Sequence, residues 1–225
     1  MERSTLESQG ILFSAILAFV EEAEERLDAL HSVMVARNGQ VVAEGWWAPY
    51  TPDLNHWLFS LSKGFTSTGV GIAIGEGRLN LDDAVISFFP DEAPKAPSEN
   101  LKAMTVRDLL KMTHGHKGNA DRKVMRSDDP AWTRNWLAFD VAHTPGTRWA
   151  YSNSVTYMLS AILQKVTGER LVDYMKRRLF DPLGITKPIW DESPEGVSLG
   201  GSGLRVRTED VLRLGQLYLQ NGKWG

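Results

Sequence analysis

The chain of 225 residues contains no cysteine. Disulfides, thiol catalysis and cysteine-ligated zinc are thereby excluded. The redox compartment stays open, because a cysteine-free protein persists in either. An excess of charge is missing too: 25 basic against 28 acidic residues leave a formal net charge of −3. Neither nucleic acid nor an anionic membrane is drawn to such a chain electrostatically, so neither is expected as a partner. No low-complexity tract or internal repeat is visible, and 42% hydrophobic with 24% charged residues is the balance of an ordinary globular protein.

A membrane-spanning run is also lacking. The apolar stretch Ile11–Val20 is too short to cross a bilayer. Upstream it has Glu2 and Glu7 against a single Arg3, and it runs into Glu21-Glu22-Ala23-Glu24-Glu25 where a signal cleavage site would need small residues. Its residues Phe13, Ile16, Val20, Ala23, Leu27 and Leu30 step by threes and fours, the pattern of a helix with one apolar face. The stretch is read as a packed surface helix and the location as cytoplasmic.

What is present begins with a hairpin. Two valine-rich runs, His31–Arg37 and Gln40–Trp47, flank Asn38-Gly39, which suits the two positive-φ positions of a type I′ turn. After a loop at Ala48–Asn55, a helix is expected from Ser60 to about Glu76. From Leu79 to about Trp190 the pattern is short helices and loops. Thr105 and Asp108 form a capping box with Asp in place of Glu, and Gly115–Trp136 reads as a long polar loop. Helices follow at Val155–Val166, closed by Gly168, and around Leu171–Leu179, and Thr208 is expected to cap a last one. Nothing alternates as strand and helix, so a doubly wound parallel sheet is not expected. A lone hairpin is marginal in water; its strands need partners.

Three segments carry chemistry. In Phe59-Ser60-Leu61-Ser62-Lys63, a helix opening at Ser60 places Lys63 one turn on and on the same face, so the amine sits beside the hydroxyl. A serine is a poor nucleophile until a base takes its proton, and a lysine held away from water can assist. The Ser60 N–H, at a helix start, is a candidate oxyanion donor. Alone, the pattern reads first as a capped helix with a surface lysine. Tyr151-Ser152-Asn153 puts a phenol and a carboxamide on one turn, suited to proton transfer and to binding a substrate amide; otherwise it is a turn with Asn153 as cap. Gly200-Gly201-Ser202-Gly203 is a glycine cluster leading to the last helix.

Other signals are read as structural. Gly69, Gly71, Gly75 and Gly77 lie in the Ser60 helix and point to close helix packing. His114, His116 and Asp121 fit no standard zinc spacing and are assigned to the polar loop. Trp46, Trp47 and Trp57 are read as core or groove wall, with an apolar acyl pocket as the alternative.

Taken in order, Ser60-Leu61-Ser62-Lys63, Thr105–Gly115, Thr144–Asn153, Phe180–Ile185 and Gly200–Leu219 resemble the serine β-lactamase and penicillin-binding-protein-like hydrolases. The likeness is to the branch with class C β-lactamases, D,D-peptidases and family VIII esterases. It implies an α+β, β-lactamase/transpeptidase-like fold, with an antiparallel sheet flanked by helices plus an all-helical domain. The corresponding division is 1–78 for the N-terminal helix, hairpin and nucleophile helix, 79–190 for the helical domain and 191–225 for the return to the α/β part. It implies Ser60 as acylated nucleophile, Lys63 as its proton partner, Tyr151 as general base or proton shuttle, and Asn153 as a substrate hydrogen bonder.

One departure stands out. The family's third motif, Lys-Thr-Gly or His-x-Gly on a sheet strand, has no match after the last helix, so the expectation is a chain truncated before it, with an incomplete sheet, an open edge available for self-association, and little activity alone. Three readings stay open. The chain is a serine hydrolase acting through an acyl-enzyme on a small ester or amide, without metal or cofactor; or a catalytically silent scaffold or binding protein; or a fragment completed by further polypeptide.

Overall fold

Asn38 and Gly39 take φ angles of 52° and 79°, the left-handed pair the sequence led us to expect, and the computed structural model folds the chain back there into an antiparallel hairpin. Residues 1–118, 120–126 and 128–224 are described. In chain order the elements are helix α1 (Phe13–Arg26), strands β1 (Ser32–Arg37), β2 (Gln40–Trp46) and β3 (His56–Trp57), and helix α2 (Ser62–Gly75). Then come α3 (Glu99–Ala103), α4 (Val106–Leu110), α5 (Ala120–Val124), α6 (Trp132–Leu137), α7 (Asn153–Thr167) and α8 (Leu171–Met175). The end of the chain carries α9 (Asp181–Leu183), β4 (Ile189–Trp190), β5 (Leu204–Val206) and α10 (Thr208–Leu219). β1 and β2 form one antiparallel sheet, and a second, small sheet has the order β3-β5-β4. No helix among the described residues is long and apolar enough to cross a membrane.

The chain divides into two compact units, one of Met1–His56, Pro182–Lys187 and Val206–Gly225, the other of Trp57–Asp181 and Pro188–Arg205. In the first, α10 packs on β1, and the Ser32 and Thr208 hydroxyls lie 2.9 Å apart. The N-terminal segment adds an edge to β2: Ser4 N–H donates to Val41 O at 2.9 Å and Val41 N–H to Glu2 O at 2.8 Å. Arg3 pairs with Glu44 and Glu209. Partial burial would raise the Glu209 carboxyl, but Arg3, the amino terminus and Arg213 outweigh it and hold the carboxyl at about 2. Helix α1 packs more loosely than its pattern suggests. None of its residues is fully buried; Val20 and Ala23 line a cleft of about 300 Å³ with Val33 and Trp47.

The second unit is built around α7. Ten consecutive residues of it, Ser154–Leu163, are buried, so it is enclosed on all sides instead of showing one apolar stripe. Helices α2, α4 and α8 contact it. Of Gly69, Gly71, Gly75 and Gly77 only Gly69 sits at a close crossing, where a Cβ would lie 2.8 Å from Met175 Sδ, and Gly77 lies beyond the end of α2 at φ 68°. The stretch expected as a polar loop holds α5 and α6, and His116 and Trp136 are buried in it. Its polar residues mask the three apolar side chains of α6 that reach the core. Tyr157 donates to Glu195 Oε2 at 2.6 Å, and the Thr133 N–H and hydroxyl donate to the same oxygen at 3.0 Å, fastening residues 193–197 to α6 and α7.

Local signals hold in detail. Thr105 and Asp108 make the full capping box of α4, and Gly168 closes α7 at φ 72°. The last helix differs: Thr208 is its first residue, and the cap is Arg207, whose N–H donates to the Asp210 carboxylate at 3.1 Å.

Candidate active site

Ser60 stands where a sheet strand turns into a helix. Leu58 N–H still donates to Leu204 O at 2.9 Å, so the chain is held to β5 up to that point. Phe59 then takes φ 45°, a conformation that costs a non-glycine residue energy, and a 3₁₀ turn over Phe59–Leu61 leads into α2. Ser60 was expected to open the helix; it lies in this turn, ahead of Ser62, because the strand pairing delays the helix. Its side chain is exposed, whereas Ser62 is fully buried and its hydroxyl accepts from Leu204 N–H at 3.3 Å.

Lys63, in the first turn of α2, faces three acceptors. Its Nζ donates to Asn153 Oδ1 at 2.6 Å, to Gly201 O at 2.6 Å and to Ser60 Oγ at 3.3 Å. Three acceptors match the three N–H groups of an ammonium. Tyr151 Oη lies 2.5 Å from Ser60 Oγ, and Lys63 Nζ sits 4.8 Å from the Tyr151 ring centre. Burial alone would raise the phenol, but the nearby Lys63 and the hydrogen bond with Ser60 outweigh it, and the phenol is held below its ordinary value. The structure thus brings Ser60, Lys63, Tyr151 and Asn153 together. Asn153 does not cap α7: Ser152 does, accepting from Val155 N–H, which leaves the carboxamide free to meet the lysine.

Two contributors were not singled out from the sequence. Gly201 supplies the carbonyl that receives Lys63. It approaches α7 so closely that a Cβ would lie 2.8 Å from Asn153 O, while Thr66 Oγ1 donates to the neighbouring Gly200 O at 2.9 Å. The glycine cluster was the available signal. The other is Asp121, considered only as a metal ligand. Its Oδ1 accepts from Ser152 Oγ at 2.6 Å and Ser154 N–H at 2.8 Å, and its Oδ2 from Asn153 N–H at 2.7 Å. Burial would raise this carboxyl, but these hydrogen bonds outweigh it and lower it. His114 and His116 do other work. His114 Nε2 lies 3.1 Å from Ala150 O and its Nδ1 accepts from His116 N–H at 3.2 Å. The His116 ring packs edge-on against Trp136 and Phe139, and burial, helped by His114, pushes it down to about 3.

Comparison with known proteins follows the same lines. A family model described as Beta-lactamase matches residues 20–220. A 6-aminohexanoate-dimer hydrolase of Paenarthrobacter ureafaciens is 26% identical over 230 residues, covering 94% of this chain and 58% of the relative. A D-aminopeptidase of Brucella anthropi is 29% identical over 194 residues, covering 77% of this chain and 35% of the other. The crystal structure of a β-lactamase/D-alanine carboxypeptidase from Pseudomonas syringae superposes with a TM-score of 0.77 at 18% identity, over 94% of this chain and 66% of that one. That likeness shows the fold. The chain therefore spans a third to about three-fifths of the length of these curated relatives.

Proposed function

Since this chain belongs to the β-lactamase family, we propose that it contributes the nucleophile side of a serine hydrolase that cleaves a small ester or amide through an acyl-enzyme. The reading rests on one observation: Lys63 Nζ and Tyr151 Oη both reach the Ser60 hydroxyl, at 3.3 and 2.5 Å. The names of the hydrolase and aminopeptidase relatives add support for amide substrates.

In the proposed mechanism Ser60 Oγ attacks the substrate carbonyl carbon while its proton passes to the Tyr151 phenolate. Lys63, which donates to Ser60 Oγ, Asn153 Oδ1 and Gly201 O, stabilises that phenolate. The Ser60 N–H serves as an oxyanion donor. Collapse of the tetrahedral intermediate breaks the bond to the leaving alcohol or amine, which takes the proton from Tyr151. Water then adds to the acyl-enzyme, giving its proton to Tyr151, and the acid leaves as Ser60 regains a proton. Asn153 positions Lys63 and offers its N–H₂ group to the substrate. Trp57, Phe59 and Trp149, each more than half exposed, lie next to the site in the chain and favour an apolar substituent on the substrate.

Covalent labelling by a fluorophosphonate tests the reading. Ser60→Ala is expected to abolish both labelling and hydrolysis of p-nitrophenyl esters with an unchanged circular dichroism spectrum. Undiminished labelling in that variant would remove Ser60 from its role. A wild-type protein that never becomes labelled would favour a silent scaffold or a fragment that needs further polypeptide.

A further inference from the structure

The proposed base, Tyr151, is not on a regular element. It belongs to the irregular segment ahead of α7, is half exposed, and has no backbone ladder to hold it. A proton-transfer group has to stay within hydrogen-bonding reach of its partner, and a misplacement of about 1 Å costs on the order of a hundredfold in rate. Something must therefore fix this segment. The backbone on both sides of Tyr151 is tied to one stretch of chain. On the near side His114 Nε2 reaches Ala150 O, at 3.1 Å. On the far side the Asp121 carboxylate collects the Ser152 hydroxyl and the N–H groups of Asn153 and Ser154, at 2.6 to 2.8 Å.

The Asp121 contacts are the stronger tie. They are charge-assisted, and they reach the free N–H groups of the first turn of α7, where a negative charge is favourable. Both carboxylate oxygens are used, so the group grips the turn at three points and sets its rotation. The same turn carries Asn153, whose Oδ1 receives Lys63 at 2.6 Å. One side chain from α5 thus governs the placement of the phenol and of the lysine's acceptor.

We propose that Asp121 is the positioning residue of the site: by anchoring Ser152, Asn153 and Ser154 it holds Tyr151 against Ser60 and Asn153 against Lys63. The proposal rests on the serine-hydrolase reading for its rate effects, but its geometric content is independent of that reading.

A positional role and a purely electrostatic one move the phenol in opposite directions. The charged groups acting on Tyr151 are Lys63 from α2 and Asp121 from α5, and His114 faces Asp121. The Lys63 and Ser60 contacts lower the phenol and outrank the Asp121 charge, which raises it. Loss of position therefore carries the phenol up toward the ordinary tyrosine value of about 10, whereas loss of charge alone carries it further down.

The experiment is a spectrophotometric titration of Tyr151, taken as the difference between each protein and its Tyr151→Phe counterpart, for wild type, Asp121→Ala and the isosteric Asp121→Asn. An upward shift in the Asp121 variants is expected; a downward or absent shift overturns the proposal. Fluorophosphonate labelling rates are read on the same proteins. Asp121→Asn should slow labelling by about a hundredfold with Tyr151 present and add nothing in the Tyr151→Phe background. Equal slowing in both backgrounds means Asp121 does not act through Tyr151. Should wild type not be labelled at all, the hydrolase reading fails for this chain on its own and the titration alone decides on Asp121. Asp121→Asn, matched in shape, serves if Asp121→Ala does not fold.

Discussion

Ser60 Oγ and Tyr151 Oη lie 2.5 Å apart although 91 positions separate the residues in the chain. The contact joins the turn ahead of α2 to the turn ahead of α7, and the packing of those two helices maintains it. Ser60 and Tyr151 are both exposed, while Lys63 is half-buried. A hydroxyl and a lowered phenol in contact, with an ammonium alongside, is an arrangement in which a proton can leave the serine as the bond to substrate forms.

Tyr151→Phe removes the proposed acceptor of that proton and leaves the ring in place. Turnover in the active protein is expected to fall by roughly two or more powers of ten, the usual loss for a general acid–base group, with the fold intact. The wild-type acidic limb of kcat/KM should lie below that of an ordinary tyrosine, since the phenolate is favoured by Lys63 and Ser60. Near-normal kinetics in the variant would make Tyr151 structural.

Gly201→Ala should harm the site without straining the backbone. The added carbon would stand 2.8 Å from Asn153 O, so either α7 or the carbonyl that receives Lys63 must move. A ten- to hundredfold drop in kcat is expected, on the order of a sub-ångström to 1 Å misplacement. Gly71→Ala is the contrast: nothing lies within 4 Å of its added carbon, and α2 should gain roughly 0.5–1 kcal/mol. Equal kinetics for both variants would argue against Gly201 as a positioning carbonyl.

His116 makes stability depend on pH. Its folded pKa is depressed to about 3 from the ordinary histidine value of about 6.5, by burial first and by His114 second. Below about pH 6.5 the unfolded chain binds a proton that the folded one refuses, so stability is present above that pH and is lost as pH falls toward 3. Between pH 6.5 and 5 the unfolding free energy in urea should decline by up to about 1.4 kcal/mol per pH unit from this group. His116→Leu, which suits the apolar surroundings, should flatten the decline relative to wild type. Parallel pH curves for the two proteins would show that His116 does not titrate on unfolding.

Among the described residues β1 has β2 as its only sheet partner, whereas the other edge of β2 is met by Arg3. Open edges invite pairing with another chain. The 225-residue chain is therefore expected to self-associate as its concentration rises, measured by sedimentation velocity; a single monomeric species throughout the range would refute this.

The division between what the sequence decides and what the fold decides follows the range of the interactions. Asn38-Gly39, the Thr105–Asp108 box, the Gly168 cap and the spacing of Ser60 from Lys63 act within a few residues, through backbone dihedrals and helix geometry, and each is legible from the letters alone. The start of α2 is not legible in that way, because the Leu58–Leu204 pairing that delays it is a contact between distant segments. Nor are α5 and α6, whose burial depends on what packs against them. Tyr151 against Ser60, the Gly201 carbonyl on Lys63 and the Asp121 grip on α7 exist only once α7 is enclosed by its neighbours. No periodicity encodes them, because hydrogen bonds across 31 to 138 positions depend on where packing leaves each backbone.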